Sequence, residues 1–487
     1  MVSELEKTLT RSCMAMALEA GADKVRVTLS KSSMDLVATL DGEVDKVTAC
    51  QDRSLEICIF ADGRYGAFST NRLEEAALRK FVGDAVQTTR MLAPDPCRDL
   101  PAPERQTKAA VTGLELGLYD ASYEGITAAD RRQQALGASV WPSAGKGWKL
   151  ISEEGEYSDN LEDSYVIDSG GLEALHTETC YSYGVEVTIE DSRGRKYSGY
   201  WWDSCVFGRD LDGAAIGRKA LDTAIAQIGS RSIAGGKRTL VLDSEISYKA
   251  VSPILAALGG FNLQQNNSFL QDSLGKKLFP EGMTLLDCPH RPGENGSRLF
   301  DSEGVATRER PLIEKGVVKE YFLNTYMANK LGMAPTQEEA TRPLLLPWCC
   351  GAGQTPENRL ASLDPTVRSA YGSPSYDAEG GTGFQGSAGP ASRCFGRDEI
   401  MKLCGEGILV TDFNGGNSNM ATGDFSYGIE GFEFKDGKIV RPVSGMLVTG
   451  NFLTLWQRLI AAGDDSRPCK GKLIPTLAFG DVDFSGE

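Results

Sequence analysis

Tyr181-Ser-Tyr-Gly-Val-Glu-Val-Thr-Ile189, then the pair Arg193-Gly194, then Tyr197-Ser-Gly-Tyr-Trp-Trp202, is the stretch that decides the fold class. Successive side chains of an extended chain point to opposite faces, so Tyr181, Val185, Val187 and Ile189 share one side. Arg193-Gly194 supplies a turn, and the run from Tyr197 to Trp202 leads back as the second arm of a hairpin. Working outward, a helix is expected near Thr127 to Gly137, and another from about Asp210 to Ile228 with Gly229 as its stop. Residues 108–230 therefore read as a β-rich central domain with helices. Strand groups set apart from helices argue for α+β rather than a parallel α/β sheet.

The flanking regions repeat this grammar. In residues 1–92, Ser3 and Glu6 form a capping-box pattern, followed by Leu5, Leu9, Cys13, Met16, Ala17 and Ala20 at helical spacing and by Gly21 as a stop. Alternating segments come next: Val25 to Leu29, Leu36 to Leu40, Leu55 to Phe60 and Tyr65 to Ser69. The turns Asp41-Gly42 and Asp62-Gly63 mark hairpins. Asn71 with Glu74, then Leu73, Ala77, Phe81 and Ala85, signals a second helix. Pro94, Pro96, Pro101 and Pro103 make Ala93–Thr107 a linker. Residues 231–487 form a strand-rich C-terminal domain punctuated by Lys315-Gly316, Asp436-Gly437 and Ser444-Gly445. Within it, Gly351–Gly396 is rich in Gly, Ser, Pro and Ala and reads as a mobile surface insert, with a lid as the sharper alternative. The whole is a multi-domain α+β chain with mixed antiparallel sheets and flanking helices.

Bulk properties narrow the function. A chain of 487 residues exceeds what one core organises, so two or three domains are expected. The formal charge of −16, with 67 acidic against 51 basic residues and no basic patch, argues against a nucleic-acid partner. Met1 to Lys7 lacks a secretion-signal pattern and no apolar run approaches the roughly 20 residues of a membrane span, so a cytoplasmic protein with no membrane partner is the default. Twelve scattered cysteines with no CxxC pair form neither a disulfide framework nor a metal site, and Cys349-Cys350 are too close together to chelate one ion.

The residue types that carry hydrolytic chemistry are scarce. The two histidines, His176 and His290, lie 114 positions apart and neither belongs to an HExxH pattern. His176 reads as an ordinary strand residue, and His290, in Asp287-Cys-Pro-His-Arg-Pro292, as a turn or surface residue. There is no GxSxG elbow and no Walker A sequence, and Gly423-Asp-Phe-Ser-Tyr-Gly428 does not fit a dinucleotide fingerprint. A Cys–His nucleophile pair has no positive support. The residues by themselves assign no catalytic, metal or substrate-binding position.

An ordered series of motifs in the C-terminal half goes further. Asp272-Ser-Leu-Gly-Lys276, Phe300-Asp-Ser-Glu-Gly-Val305, Leu312-Ile-Glu-Lys-Gly316, Thr325-Tyr-Met-Ala-Asn-Lys-Leu-Gly332 and Ala421-Thr-Gly-Asp-Phe-Ser-Tyr-Gly428 follow one another, completed by Pro442-Val443 and Gly450-Asn451. Near the start, Gly21-Ala-Asp23, Asp41-Gly-Glu43 and Asp62-Gly-Arg-Tyr-Gly66 fit the same pattern. This series resembles the TldD/PmbA family, also labelled modulators of DNA gyrase. In the catalytic TldD branch, the resemblance implies, an HExxxH segment supplies two histidine ligands to zinc and a glutamate base, and a late cysteine completes the site. Here that segment falls on Val251-Ser-Pro-Ile-Leu-Ala256, with Val251 and Ala256 at the ligand positions and Ser252 at the base. No small shift of register brings in a histidine, and Cys469 matches the late cysteine. The chain is therefore most similar to the PmbA (TldE) branch. The resemblance implies a subunit with no cofactor of its own, paired with a zinc-bearing TldD-like partner or with itself, acting on small or unfolded peptides in maturation or degradation. A stand-alone or homodimeric peptidase, or a peptide-binding protein, with a non-zinc mechanism is the alternative.

Overall fold

The computed structural model describes residues 1–349 and 396–486, so the insert expected at Gly351–Gly396 lies outside the described residues except for Gly396. The N-terminal half contains α1 (Glu4–Glu19), β1 (Lys24–Leu40), β2 (Glu43–Ala61), β3 (Arg64–Thr70) and α2 (Glu75–Thr89). It continues with α3 (Ala128–Gly137), β4 (Ala144–Gly145), β5 (Trp148–Asp168), β6 (Glu173–Asp191), β7 (Lys196–Cys205) and α4 (Gly213–Ala226). All seven strands belong to one sheet ordered β3-β2-β1-β5-β6-β7, with β4 on β5.

Local sequence explains most of these elements. The Ser3 hydroxyl accepts from the Glu6 N–H at 3.3 Å and the Glu6 carboxylate accepts from the Ser3 N–H at 2.8 Å, so two orphan donors of α1 are satisfied. Cys13, Met16 and Ala17 bury its inner stripe, whereas Leu5 is 80% exposed and takes no part. Both expected hairpin turns form, with Asp41, Gly42, Asp62 and Gly63 all at positive φ as a type I′ turn requires. The α2 stripe is rotated from the expected one: Leu78, Val82, Ala85 and Val86 are buried, and Ala77 and Phe81 only partly so. Thr127 and Asp212 cap α3 and α4 with their side chains.

Two expectations change. The short strands Val25–Leu29 and Leu36–Leu40 are one 17-residue strand, β1, because β2 and β5 pair the polar stretch between them from both sides. The linker at Ala93–Thr107 does not separate two sheets: β1 pairs with β5 from Arg26↔Asp168 to Leu40↔Glu154, so residues 1–92 and the central region share one. Each keeps its own hydrophobic cluster. α1 and α2 cover Val25, Val27, Leu55 and Ile57, and α3 and α4 cover Tyr157, Tyr183, Val185 and Val187.

The C-terminal half comprises β8 (Gly236–Leu242), α5 (Tyr248–Ala257), α6 (Gly260–Gln264), β9 (Leu285–Asp287), β10 (Arg310–Glu314), β11 (Val317–Val318), α7 (Thr325–Leu331), β12 (Pro343–Leu345) and β13 (Trp348–Cys349). After residue 396 come α8 (Arg397–Cys404), β14 (Gly407–Ser418), β15 (Asp424–Lys435), β16 (Lys438–Asn451), α9 (Phe452–Gln457), β17 (Leu459–Ala462) and β18 (Leu477–Ser485). A four-stranded sheet runs β11-β10-β9-β12, and a seven-stranded one runs β13-β17-β18-β16-β15-β14-β8. β8 pairs parallel with β14 and antiparallel with β18, which closes the larger sheet on itself. Its largest buried side chain, Trp456, packs edge-on to Phe479 at 5.4 Å and donates from Nε1 to the Ala250 carbonyl at 3.1 Å, tying α9 to α5. Ser444-Gly445, expected as a turn, instead sits within β16 where its register against β15 shifts, with Gly445 at φ 67°. No helix among the described residues is long and apolar enough to cross a membrane.

Candidate functional site

The segment aligned with HExxxH lies on α5, whose inner side packs into the core of the C-terminal half. Val251 is fully buried and Ala256 exposed, and Pro253 sits inside the helix. Val251 and Ala256 carry no lone pair, so neither side chain can ligate a metal. Tyr248, in the first turn of α5, faces Lys470, whose ammonium is 5.5 Å from its ring centroid. Lys470 follows Cys469 on the loop between β17 and β18, so the structure brings the α5 segment and the late cysteine into one neighbourhood.

That loop is held by charge and aromatic surface. Arg467 pairs with Glu245 at 2.6 Å and Asp203 at 3.2 Å and donates to the Trp202 carbonyl at 2.9 Å. Its guanidinium lies 4.8 Å from the Trp201 ring and 5.8 Å from the Trp202 ring. Glu245 also binds the Lys470 ammonium at 2.9 Å. The Cys469 carbonyl accepts from the Ser204 hydroxyl at 3.3 Å, and the Pro468 carbonyl accepts from buried Arg342 at 2.8 Å. Burial pushes the Cys469 thiol up to about 12, with Arg467 opposing and Asp203 reinforcing the shift. At neutral pH it is a thiol, not a thiolate.

Beyond this loop spreads the open face of the large sheet. Residues opposite one another in neighbouring strands share a face, so the register dictates what it displays. One row reads Asp52, Ser32, Glu162 and Glu178, and the next Ser54, Ser30, Ser164 and His176. Toward the far end stand Ser158, Ser182 and Ser204, then Glu156, Gly184 and Trp202. This floor is rich in hydroxyls and carboxylates, with Met34, Leu36 and Leu40 of β1 set among them. The C-terminal half leans over it through Arg298, 3.2 Å from Glu178, and Asn295, which donates to the Ser204 hydroxyl at 3.1 Å. A cavity of about 550 Å³ opens on it, bordered by Glu154, Glu156, Glu186, Tyr200 and Trp202. Burial and the charges of Glu156 and Glu186 raise the Tyr200 phenol above its ordinary value.

Both histidines are engaged elsewhere than at the α5 segment. His176 is a buried strand residue with Nε2 3.1 Å from the Glu178 carboxylate. His290 is half-buried rather than superficial. Its Nε2 lies 3.0 Å from the Thr307 hydroxyl, and burial lowers its pKa. Among the described residues no group of three or more His, Cys, Asp or Glu is placed to hold a metal ion. The donor set around α5 and Cys469 does not fit zinc. Sequence reading missed Trp202, Asp203, Glu245, Arg467 and Lys470 as one cluster. The available signal was Trp202 on the opposite phase of β7 from Tyr197; its neighbour on that phase, Tyr200, stays 55% exposed, so the strand pattern alone did not mark the cluster.

Comparison with known proteins agrees with this arrangement. Residues 235–486 match the model of the PmbA/TldA metallopeptidase C-terminal domain, and residues 122–228 match that of the central domain. The Metalloprotease PmbA of Escherichia coli O157:H7 is 25% identical over 489 aligned positions, covering 97% of this chain and 96% of that protein. A crystal structure from Bacteroides thetaiotaomicron, described as a modulator of DNA gyrase, is 34% identical with a TM-score of 0.86 and full coverage of both chains. TldE from Thermococcus kodakarensis shares the fold at 17% identity, with a TM-score of 0.74 over 98% of this chain and 100% of that one. Together with the motif order and the shared architecture, these matches establish that the chain belongs to the PmbA/TldD metallopeptidase family.

Proposed function

We propose that this chain is the metal-free subunit of a two-subunit PmbA/TldD-type peptidase, and that it builds the floor and one wall of a chamber in which a histidine-bearing partner cleaves small or unfolded peptides. The observation that carries this reading is α5. Where a catalytic chain of this family needs two imidazoles, Val251 is sealed in the core and Ala256 ends in a methyl group. Hydrolysis at neutral pH needs an activated water, and no donor set among the described residues is placed to hold a metal that would lower the pKa of one. What this chain offers instead is the polar face of its large sheet, whose serines and carboxylates can accept hydrogen bonds from the backbone of an extended peptide.

The experiment is reconstitution with a TldD-type subunit that carries HExxxH. Peptide cleavage is expected only from the mixture, and replacing the partner's motif glutamate should abolish cleavage while leaving the complex intact. Robust, chelator-insensitive cleavage by this chain alone would refute the assignment.

A further inference from the structure

We propose that the free edge of β2 pairs, antiparallel, with the same edge of a second copy of this chain. β3 covers β2 only from Leu55 to Ala61. From Lys46 to Ser54 the strand is bonded to β1 on one side and to no strand among the described residues on the other. Lys46, Val47, Ala49, Cys50, Gln51 and Asp52 are exposed, Val47 to 62%. A long exposed edge presents a row of unpaired N–H and C=O groups, a ready template for another strand.

The charges along this edge select the occupant. Lys46 and Asp52 lie on the same face, opposite Ala38 and Ser32 of β1, and neither side chain has an ion pair or hydrogen bond within the described residues. Antiparallel pairing of an edge with its own copy places a two-fold axis through one residue, which then faces itself. An axis between two residues would make a bonded pair equivalent to a non-bonded one, and these alternate. With the axis at Ala49, Lys46 of each copy stands opposite Asp52 of the other, Val47 opposite Gln51 and Thr48 opposite Cys50. With the axis at Thr48, Lys46 meets Cys50; with the axis at Cys50, Lys46 meets Ser54 and Asp52 meets Thr48. Only the Ala49 register matches charge to charge, and it does so twice. An edge guarded against association carries like charges, commonly lysine. This one carries one charge of each sign at mirrored positions around a small residue. The β-bulge at Asp45 ends the pairing stretch on one side, and the pairing with β3, whose last residue Thr70 faces Leu55, ends it on the other. The pairing rests on this edge alone and holds whether or not a catalytic subunit docks on another face.

The test uses the full-length chain in sedimentation equilibrium. A dimer is expected at protein concentrations up to about 100 µM, and Lys46→Glu, which sets like charges opposite one another at two places, should weaken it by about tenfold or more. The double variant Lys46→Glu/Asp52→Lys should restore it. In a Cys50→Ser background, Ala49→Cys should form an intermolecular disulfide on mild oxidation, because directly opposed Cβ atoms lie about 4.5–5.5 Å apart. Val47→Cys, facing Gln51, should not cross-link. A chain that stays monomeric, or a dimer insensitive to Lys46→Glu in which Ala49→Cys fails to cross-link, overturns the proposal.

Discussion

Arg342, fully buried, donates to the carbonyl of Pro468 at 2.8 Å across 126 residues of sequence, and its guanidinium also meets Glu294 at 2.6 Å and the Asn295 carbonyl. One side chain therefore fixes the loop beside Cys469 and the loop that leans over the sheet floor. Arg342→Met should leave the Pro468 and Asn295 carbonyls without this donor, while Glu294 keeps its two bonds from Arg291, and should cost about 1–3 kcal/mol, the usual penalty for buried acceptors left unpaired. Urea melts check this, and a loss below 1 kcal/mol would show that water replaces the guanidinium.

The thiol of Cys469 should be slow to alkylate. Its pKa, pushed up to about 12, leaves almost no thiolate at pH 8, so its reaction with iodoacetamide should rise steeply only as pH climbs toward that value. Mass-spectrometric labelling across pH 7–10 reads this directly. In the reconstituted complex, Cys469→Ser should leave peptide cleavage nearly unchanged.

Asp301 provides a stability signature in acid. Burial raises its pKa to about 6, reinforced by Glu303 and Glu338, while the N–H groups of Val305 and Glu338 oppose the shift. A carboxyl whose pKa is higher folded than unfolded favours the fold while protonated. That contribution is full below about pH 4 and lost as pH rises through about 6. Asp301→Asn keeps the Oδ1 acceptor and removes the titration. Relative to the parent, the variant should gain on the order of 2 kcal/mol between pH 4 and pH 7, read from urea midpoints. An equal difference at both pH values would reject the linkage.

Two glycines in neighbouring helices should behave oppositely. A Cβ on Gly217 of α4 would lie 1.9 Å from the Ala138 carbonyl, whereas a Cβ on Gly137 of α3 meets nothing within 4 Å. Gly217→Ala should cost about 1–3 kcal/mol by overpacking, and Gly137→Ala should be neutral or stabilise slightly through helix propensity. Thermal melts of the two variants settle it.

Elemental analysis gives a fifth outcome. After zinc loading and gel filtration the purified chain should retain well below one zinc per molecule, since Val251 and Ala256 stand at the ligand positions. About one tightly held zinc per chain would place a metal site somewhere the donor chemistry does not suggest.

The sequence by itself determined the elements whose signals are local. The Ser3–Glu6 box, the Asp-Gly turns at 41–42 and 62–63 and the strand phase of Tyr181 to Ile189 were all legible, because backbone hydrogen bonding and φ preference act within a few residues. It also determined what α5 lacks, since a valine or an alanine is no ligand in any fold. Only the tertiary structure decided that β1 runs unbroken between β2 and β5, because the polar run Ser30–Asp35 has no apolar alternation of its own and is held extended by neighbours distant in sequence. It alone decided that Trp202, Glu245 and Arg467 meet around Cys469. Their pairing depends on charge and ring geometry across more than two hundred residues, and no local periodicity encodes a contact of that range.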